Sequence, residues 1–452
     1  MPSSAGVQKS TPSNADRNWH LFLWFRLLFS CRFYYPVLAV LFLDIGLTAT
    51  QYTLLNAVWA AASLLSDVPA GVLADRFGRK PLLVAAGGCM VLEMLLLSLA
   101  PLKGGILLFL FCLANRLLSG LSEGLASGAD EALVYDSLSE QERAGEWHRV
   151  LEQVTRWQSA GMVLAMLAGG ALYSPGFMNW MLGLLGIHSR LNQGITLRFP
   201  VYLTLASAVG VFLLALRFQE PKRCRPCAIK DPGGRHASSM TGAYAFVMAA
   251  ASWLWNSPLA LFVVMAGLLL DSSARLFLTF SSSYLRLIGI PEASFGIVGA
   301  LMAGIGFFVS PWARKMVATC TVGRSFTIIL TVVLTGLAGV AFHLPDWGLL
   351  FAFPLGASMT LVGFAVSSYL NTLVDSHHRA TVLSFKGVAF NLAYAGISLI
   401  FALVLQVLHG ATTGDVIAKA FALLPVWLIL AWVGLRLSFY KHRKLINLKL
   451  TA

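Results

Sequence analysis

GVLADRFGRK, residues 71–80, lies between two long apolar runs and places one acid and three cations, Asp75, Arg76, Arg79 and Lys80, in its last six positions. Apolar helices on both sides make so short a charged segment a tight hairpin at a membrane face. Gly71 and Gly78 remove side chains where two helices and a short loop must approach closely. Arg76, Arg79 and Lys80 hold the loop in the cytoplasm by the positive-inside rule. Asp75 is left to pair with these cations or with a neighbouring helix end. The plainer reading is a basic stop-transfer flank that happens to contain glycines.

Outward from this loop the composition supports a membrane protein. Of 452 residues, 57% are hydrophobic and 12% charged, and the mean hydropathy is +0.74, too apolar for a soluble domain. The net charge of +13 falls mostly in short loops between apolar runs. There it sets topology and meets anionic headgroups, so no nucleic-acid partner is expected. Cysteines at 31, 89, 112, 224, 227 and 320 make no disulfide framework. Cys224 and Cys227 have metal or redox spacing but lack a second pair. The first twenty residues are polar with no apolar core ahead of a cleavage site, so the first span would itself direct insertion.

Crossing the hydrocarbon core takes roughly 20 residues. Twelve runs qualify, spans 1 to 12, at about 22–43, 51–73, 81–101, 105–135, 150–173, 199–218, 258–283, 293–312, 325–344, 347–373, 381–408 and 415–438. An even number puts both termini on one side. With the N-terminus inside, the cytoplasmic segments collect nearly all loop cations, and the outside only Lys103, Arg190, Arg198, Arg286 and Lys419. That asymmetry orients the chain with both termini cytoplasmic. Residues 176–187 and 243–255 are apolar but short, which suits interfacial helices better than spans.

Residues 219–242 form the one long polar, Pro- and Gly-bearing stretch inside the chain, and divide the spans six and six. The expected domains are an N-terminal tail (1–20), a first six-helix bundle (21–218), a linker with an interfacial helix (219–257), a second bundle (258–438) and a basic tail (439–452). Leu133-Val-Tyr-Asp-Ser137 ahead of Arg143, and Leu373-Val-Asp-Ser376 ahead of Arg379, follow the fourth span of each half. They are a trace of duplication.

The pattern G-x-x-x-D-R-x-G-R-K resembles the signature loop of the major facilitator superfamily, matched at Gly71, Asp75, Arg76, Gly78, Arg79 and Lys80. Its second-half counterpart, residues 310–326, keeps Arg314 and Lys315 but lacks the glycine and the acid. The resemblance implies an all-α fold of twelve transmembrane helices in two six-helix bundles, with the substrate site between them near the midplane. It looks like a bacterial branch of undefined substrate, hence an inner-membrane location. Related transporters use this loop as a latch. By that resemblance Asp75 would meet the start of span 11 near residues 381–386, and Arg79 would meet Asp136. The cytoplasmic gate would comprise these groups with Arg143, Arg379 and Lys386, breaking and remaking to switch between inward-open and outward-open states.

Charges inside spans carry the sharpest information, because each costs about 2.5–3.5 kcal/mol at the bilayer centre. Leaving span ends aside they are Arg26, Arg32, Glu93, Arg116, Glu123, Asp130, Asp271 and Arg275. Six facing lipid would cost on the order of 15–20 kcal/mol, as much as a typical protein's net stability. They must pair or line a wet cavity. Arg116, Glu123 and Asp130 lie seven apart on span 4 and so return to nearly one face. Asp271 and Arg275 are four apart on span 7 and can pair along the helix. In the fold that the chain resembles, spans 1, 4, 7 and 10 line the central cavity. That makes Arg32, Arg116, Glu123, Asp130, Asp271 and Arg275 the candidate residues for substrate binding and proton coupling. Residues 115–120 also resemble the family's R-x-x-q-G motif, with Ser119 where Gln is usual. The alternative for Arg116 and Glu123 is a static buried pair that only fixes packing. Glu93, on a span peripheral in the family fold, is expected to be protonated or packed against a neighbour.

The helix 5 motif associated with antiporters is poor here, since residues 159–171 hold glycines but no proline. No P-loop, nucleophile elbow or zinc-spaced His pair is present, so neither an enzyme, nor a cofactor, nor a metal site is expected. The reading is a monomeric secondary active transporter in the lipid bilayer, moving a small amphipathic, anionic or zwitterionic solute with protons, in the direction of export. An importer of a small organic anion or metal chelate fits the same fold. So does a non-transporting membrane sensor or scaffold.

Overall fold

The computed structural model describes residues 14–102, 104–127, 129–137, 143–187, 190–220, 252–374, 379–410 and 412–449. Among them every regular element is helical. Span 1 is Asn14–Ser30 and Leu38–Asp44, span 2 Ala49–Phe77, span 3 Arg79–Leu99, and span 4 Gly105–Ala126 with Ala129–Ser137. Span 5 is Arg143–Tyr173, span 6 Phe199–Arg217, and span 7 Pro258–Thr279 with Ser281–Leu287. Spans 8 to 12 are Phe295–Thr319, Val322–Ala341, Leu349–Leu373, Arg379–Val407 and Thr413–Ser438. Among the described residues ten helical segments are long and apolar enough to cross a bilayer, and the bent pair of Glu152–Tyr173 with Pro175–Leu184, taken as one span, makes an eleventh. Span 2, 29 residues long, completes the twelve and packs on spans 4 and 11.

Lipid is the solvent this surface is built for. On span 8, Phe307, Phe308 and Trp312 are 81%, 74% and 75% exposed, an arrangement that water would penalise and hydrocarbon does not. Spans 2 and 12 both start at the face opposite the termini, on capping boxes formed by Thr48 with Gln51 and Thr412 with Asp415. These hydroxyls take up backbone N–H groups that the helix cannot satisfy internally.

Three spans read as continuous from hydrophobicity are broken. In span 1, Pro36 offers no N–H and restrains Tyr35, and residues 31–37 leave the α-helix for a turn and a 3-10 segment. The freed N–H of Phe33 donates to Thr204 Oγ1 at 3.0 Å. In span 4 the break follows Ala126, with Ser127 closing the first helix. Span 7 breaks at Phe280 without proline. There Thr279 Oγ1 donates to the carbonyl of Arg275 at 2.8 Å, and the Thr279 carbonyl accepts from Tyr52 Oη at 2.9 Å. Such bonds draw the carbonyls away from the helix ladder and bend it.

The signature segment also differs from a loop. Helix continues to Phe77 and resumes at Arg79, so the turn is Gly78 alone, with φ 97° and ψ 166°. The short apolar stretch after span 5 forms its own helix, Pro175–Leu184, at 88° to that span. Most of the stretch at 243–255, and Cys224 with Cys227, lie outside the described residues.

Candidate functional site

The breaks in spans 1 and 7 lie side by side and roof a central cavity. The backbone N–H groups of Ala39 and Val40 both donate to Ser282 Oγ, at 3.1 and 3.2 Å. Tyr52, on span 2, reaches over to Thr279. Gly170 and Gly296 press the backbones of spans 5 and 8 together with no room for a Cβ on either. Beneath this roof a cavity of about 510 Å³ is lined from both halves, by residues of spans 1, 2, 4 and 5 and of spans 7, 8, 10 and 11. Its walls are aromatic and thioether surface, Trp59, Tyr35 and Tyr394 with four methionines, and they carry two cations, Arg116 and Arg275.

The six candidate residues divide by partner. Arg116 lines the cavity, stacks its guanidinium 4.6 Å over Phe42, and has no ion pair among the described residues. Arg275 also lines it, joined to Asp271 at 2.8 Å and lying over the Tyr394 ring. Arg32 lies outside the lining. Its Nη1 donates to both oxygens of Glu93 at 2.9 and 3.1 Å, and Tyr34 Oη donates to Glu93 Oε1 at 3.2 Å. Asp130 is ion-paired with Arg26 at 2.5 Å near the termini face and accepts from its Nη2 at 3.0 Å, and Glu131 shares the same guanidinium. Glu123, half-buried on span 4, has no ion pair among the described residues.

On the termini face, Glu220 organises the signature turn. Its two carboxylate oxygens accept the N–H groups of Arg79 and Lys80 at 2.9 and 2.8 Å, capping the positive end of span 3. Asn18 holds the adjoining Gln219 by two backbone bonds, at 2.9 and 3.1 Å, and reaches Ser137. The Arg79 guanidinium donates to the carbonyl of Ala132 on span 4. Lys386 points into the second bundle, its Nζ donating to Ser367 Oγ at 2.7 Å on span 10. The side chains of Gly71, Asp75, Arg76, Asp136, Arg143 and Arg379 lie outside the described residues. A Cβ at Gly78 would need a strained positive φ and would meet the Glu220 carboxylate at 3.0–3.2 Å. Gly78→Ala is therefore expected to destabilise by about 1–3 kcal/mol, measured by thermal unfolding in detergent.

The opposite face holds a lock between the halves. Arg286 of span 7 donates to both oxygens of Asp44, at 2.6 and 2.7 Å, and to Glu292 at 2.5 Å. Tyr173, at the end of span 5, donates to Asp44 Oδ2 at 2.5 Å. Every hydrogen bond and ion pair between the two halves that joins described residues lies on this side of the cavity. Sequence reasoning counted Arg286 only for topology and passed over Asp44. Opposite charges at the same-face ends of spans 1 and 7 were the available signal. Arg286→Gln leaves two carboxylates facing each other. In a cysteine-free background, a cysteine at Ser281 on the cavity wall is then expected to react several-fold faster with an impermeant thiol reagent applied at this face.

Comparison with known proteins follows the same architecture. The family model described as Major Facilitator Superfamily matches residues 22–398. The tetracycline resistance protein, class C, of Escherichia coli is 25% identical over 356 residues, covering 76% of this chain and 78% of that protein. The nucleoside transporter NupG superposes with a TM-score of 0.70 at 12% identity, over 95% of this chain and 99% of that one. A bacterial homologue of the human lysosomal transporter Spinster, crystallised inward-facing and unoccupied, gives 0.67 at 16% identity, over 95% and 97%.

Proposed function

The chain belongs to the major facilitator superfamily, and from that premise we propose that it is a proton-coupled secondary active transporter that exports a small solute by alternating access. The observation that carries this reading is the central cavity, walled by both halves and sealed on one side by the Asp44–Arg286 lock. A site shared by two bundles changes its accessible face when one rocks against the other. Both termini lie at the cytoplasmic face of a bacterial inner membrane, so the lock closes the outer side. The functional chain is a monomer, its two bundles spanning 21–218 and 258–438 and joined by the linker 219–257.

Glu123 is the coupling acid in this scheme. One proton can remove its charge without breaking an ion pair, whereas Asp130 and Asp271 each hold an arginine. Arg116 and Arg275 bind the solute. At the inner face, Asp75, Arg76, Arg79 and Lys80 of the signature segment latch the bundles, with Asp136, Arg143, Arg379 and Lys386. A relative named for resistance to tetracycline supports the outward direction.

Purified protein in proteoliposomes enclosing a pH dye tests the proposal against pools of metabolites and amphipathic compounds. A solute-dependent proton movement is expected, and its sign separates antiport from symport. Solute movement with no accompanying proton movement contradicts the coupling.

A further inference from the structure

We propose that the cavity selects an amphipathic organic monoanion, with its carboxylate on Arg116 and its apolar body among the methionines of spans 5, 8 and 10. This rests on the transporter reading and narrows it to a substrate class. Arg116 is 4% exposed, and its Nε and Nη2 are buried with no hydrogen-bond partner. The guanidinium rests on the face of Phe42, which leaves its edge for a ligand. A buried, unpaired guanidinium is costly unless something supplies the opposite charge.

No protein group supplies it among the described residues. Glu93 is taken by Arg32, Asp271 by Arg275, and Asp130 by Arg26. Glu123, seven residues along the same helix, makes no ion pair with the guanidinium among the described residues. Among the described residues the cavity wall thus carries two arginines and no acid, and one of the two is already neutralised by its neighbour. One negative charge completes the balance. A cation would meet uncompensated like charge, and a dianion would leave its second charge unmatched.

The rest of the wall describes the body of the ligand. Met162, Met166, Met302 and Met359 contribute flexible, polarisable surface that adapts to many shapes. Trp59 and Tyr394 add aromatic faces. About 510 Å³ suits a ligand of drug-like size. Planar bidentate geometry makes a carboxylate the natural head group for arginine.

Calorimetric titration of the detergent-purified full chain tests this with three probes that share one aromatic body: 1-naphthoate, 1-naphthamide and 1-naphthylmethylammonium. Naphthoate should bind about 10- to 100-fold more tightly than either of the others, the span of a charge-assisted contact. Arg116→Gln should erase the preference, and Arg116→Lys should keep part of it, both with wild-type elution and melting behaviour. Equal or stronger binding of the amide or ammonium overturns the assignment. So does absence of naphthoate binding, or a preference that survives in Arg116→Gln. A neutral or cationic solute that drives proton flux in vesicles overturns it while leaving transport standing. Naphthoate binding without flux from any solute keeps the assignment and overturns transport.

Discussion

Glu93→Leu alone is expected to destabilise the protein by about 3–5 kcal/mol, because it strands the Arg32 guanidinium in the first bundle. The two side chains are 2% and 0% exposed and joined at 2.9 Å. Removing one partner leaves a bare charge shielded from water and without its ion-pair partner. Removing both does not, so Arg32→Met with Glu93→Leu should return close to wild-type stability. Thermal unfolding of the two single variants and the double variant decides the matter. Strictly additive losses would mean that the pair is not a structural unit. Single variants that melt normally but fail to transport would place the pair in the proton path instead.

Glu123→Gln is expected to abolish solute-driven proton movement, to less than about one-hundredth of wild type, with normal expression and folding. The amide keeps the shape of the carboxyl and cannot exchange a proton at the pH of transport. If Glu123 is the coupling acid, downhill solute exchange survives while coupling to the pH gradient is lost, a separation that misfolding does not mimic. Undiminished coupled flux in this variant would pass the role to Asp271 or Asp130, and would require one of their ion pairs to open in each cycle.

Much of the architecture was legible because a bilayer reads composition directly. Run length and hydropathy place the spans. The signature residues fall where the helices turn, although the turn itself is the single residue Gly78 rather than a loop. The identity of mid-span charges was legible, but their partners were not. Helical period fixes a side chain's depth and its face on its own helix, and says nothing of which neighbouring helix that face meets. Arg32 and Glu93 are 61 positions apart and Asp44 and Arg286 are 242 apart, so only the packing of the spans brings them together. Glu220, just beyond span 6, gave no periodic signal at all, yet it caps the signature turn. The break at Pro36 could have been read from proline chemistry. The one at Phe280 arises from hydroxyls and a neighbouring tyrosine, which hydropathy does not register.

The most direct test of the central claim is accumulation of a solute identified in the pooled screen, in vesicles of known orientation with an imposed pH gradient. The account requires that the solute concentrate beyond equilibrium while the gradient lasts and leak back when a protonophore collapses it, with both effects absent in Glu123→Gln. Movement that stops at equal concentrations whether or not a gradient is present would contradict it, and would make the protein a uniporter.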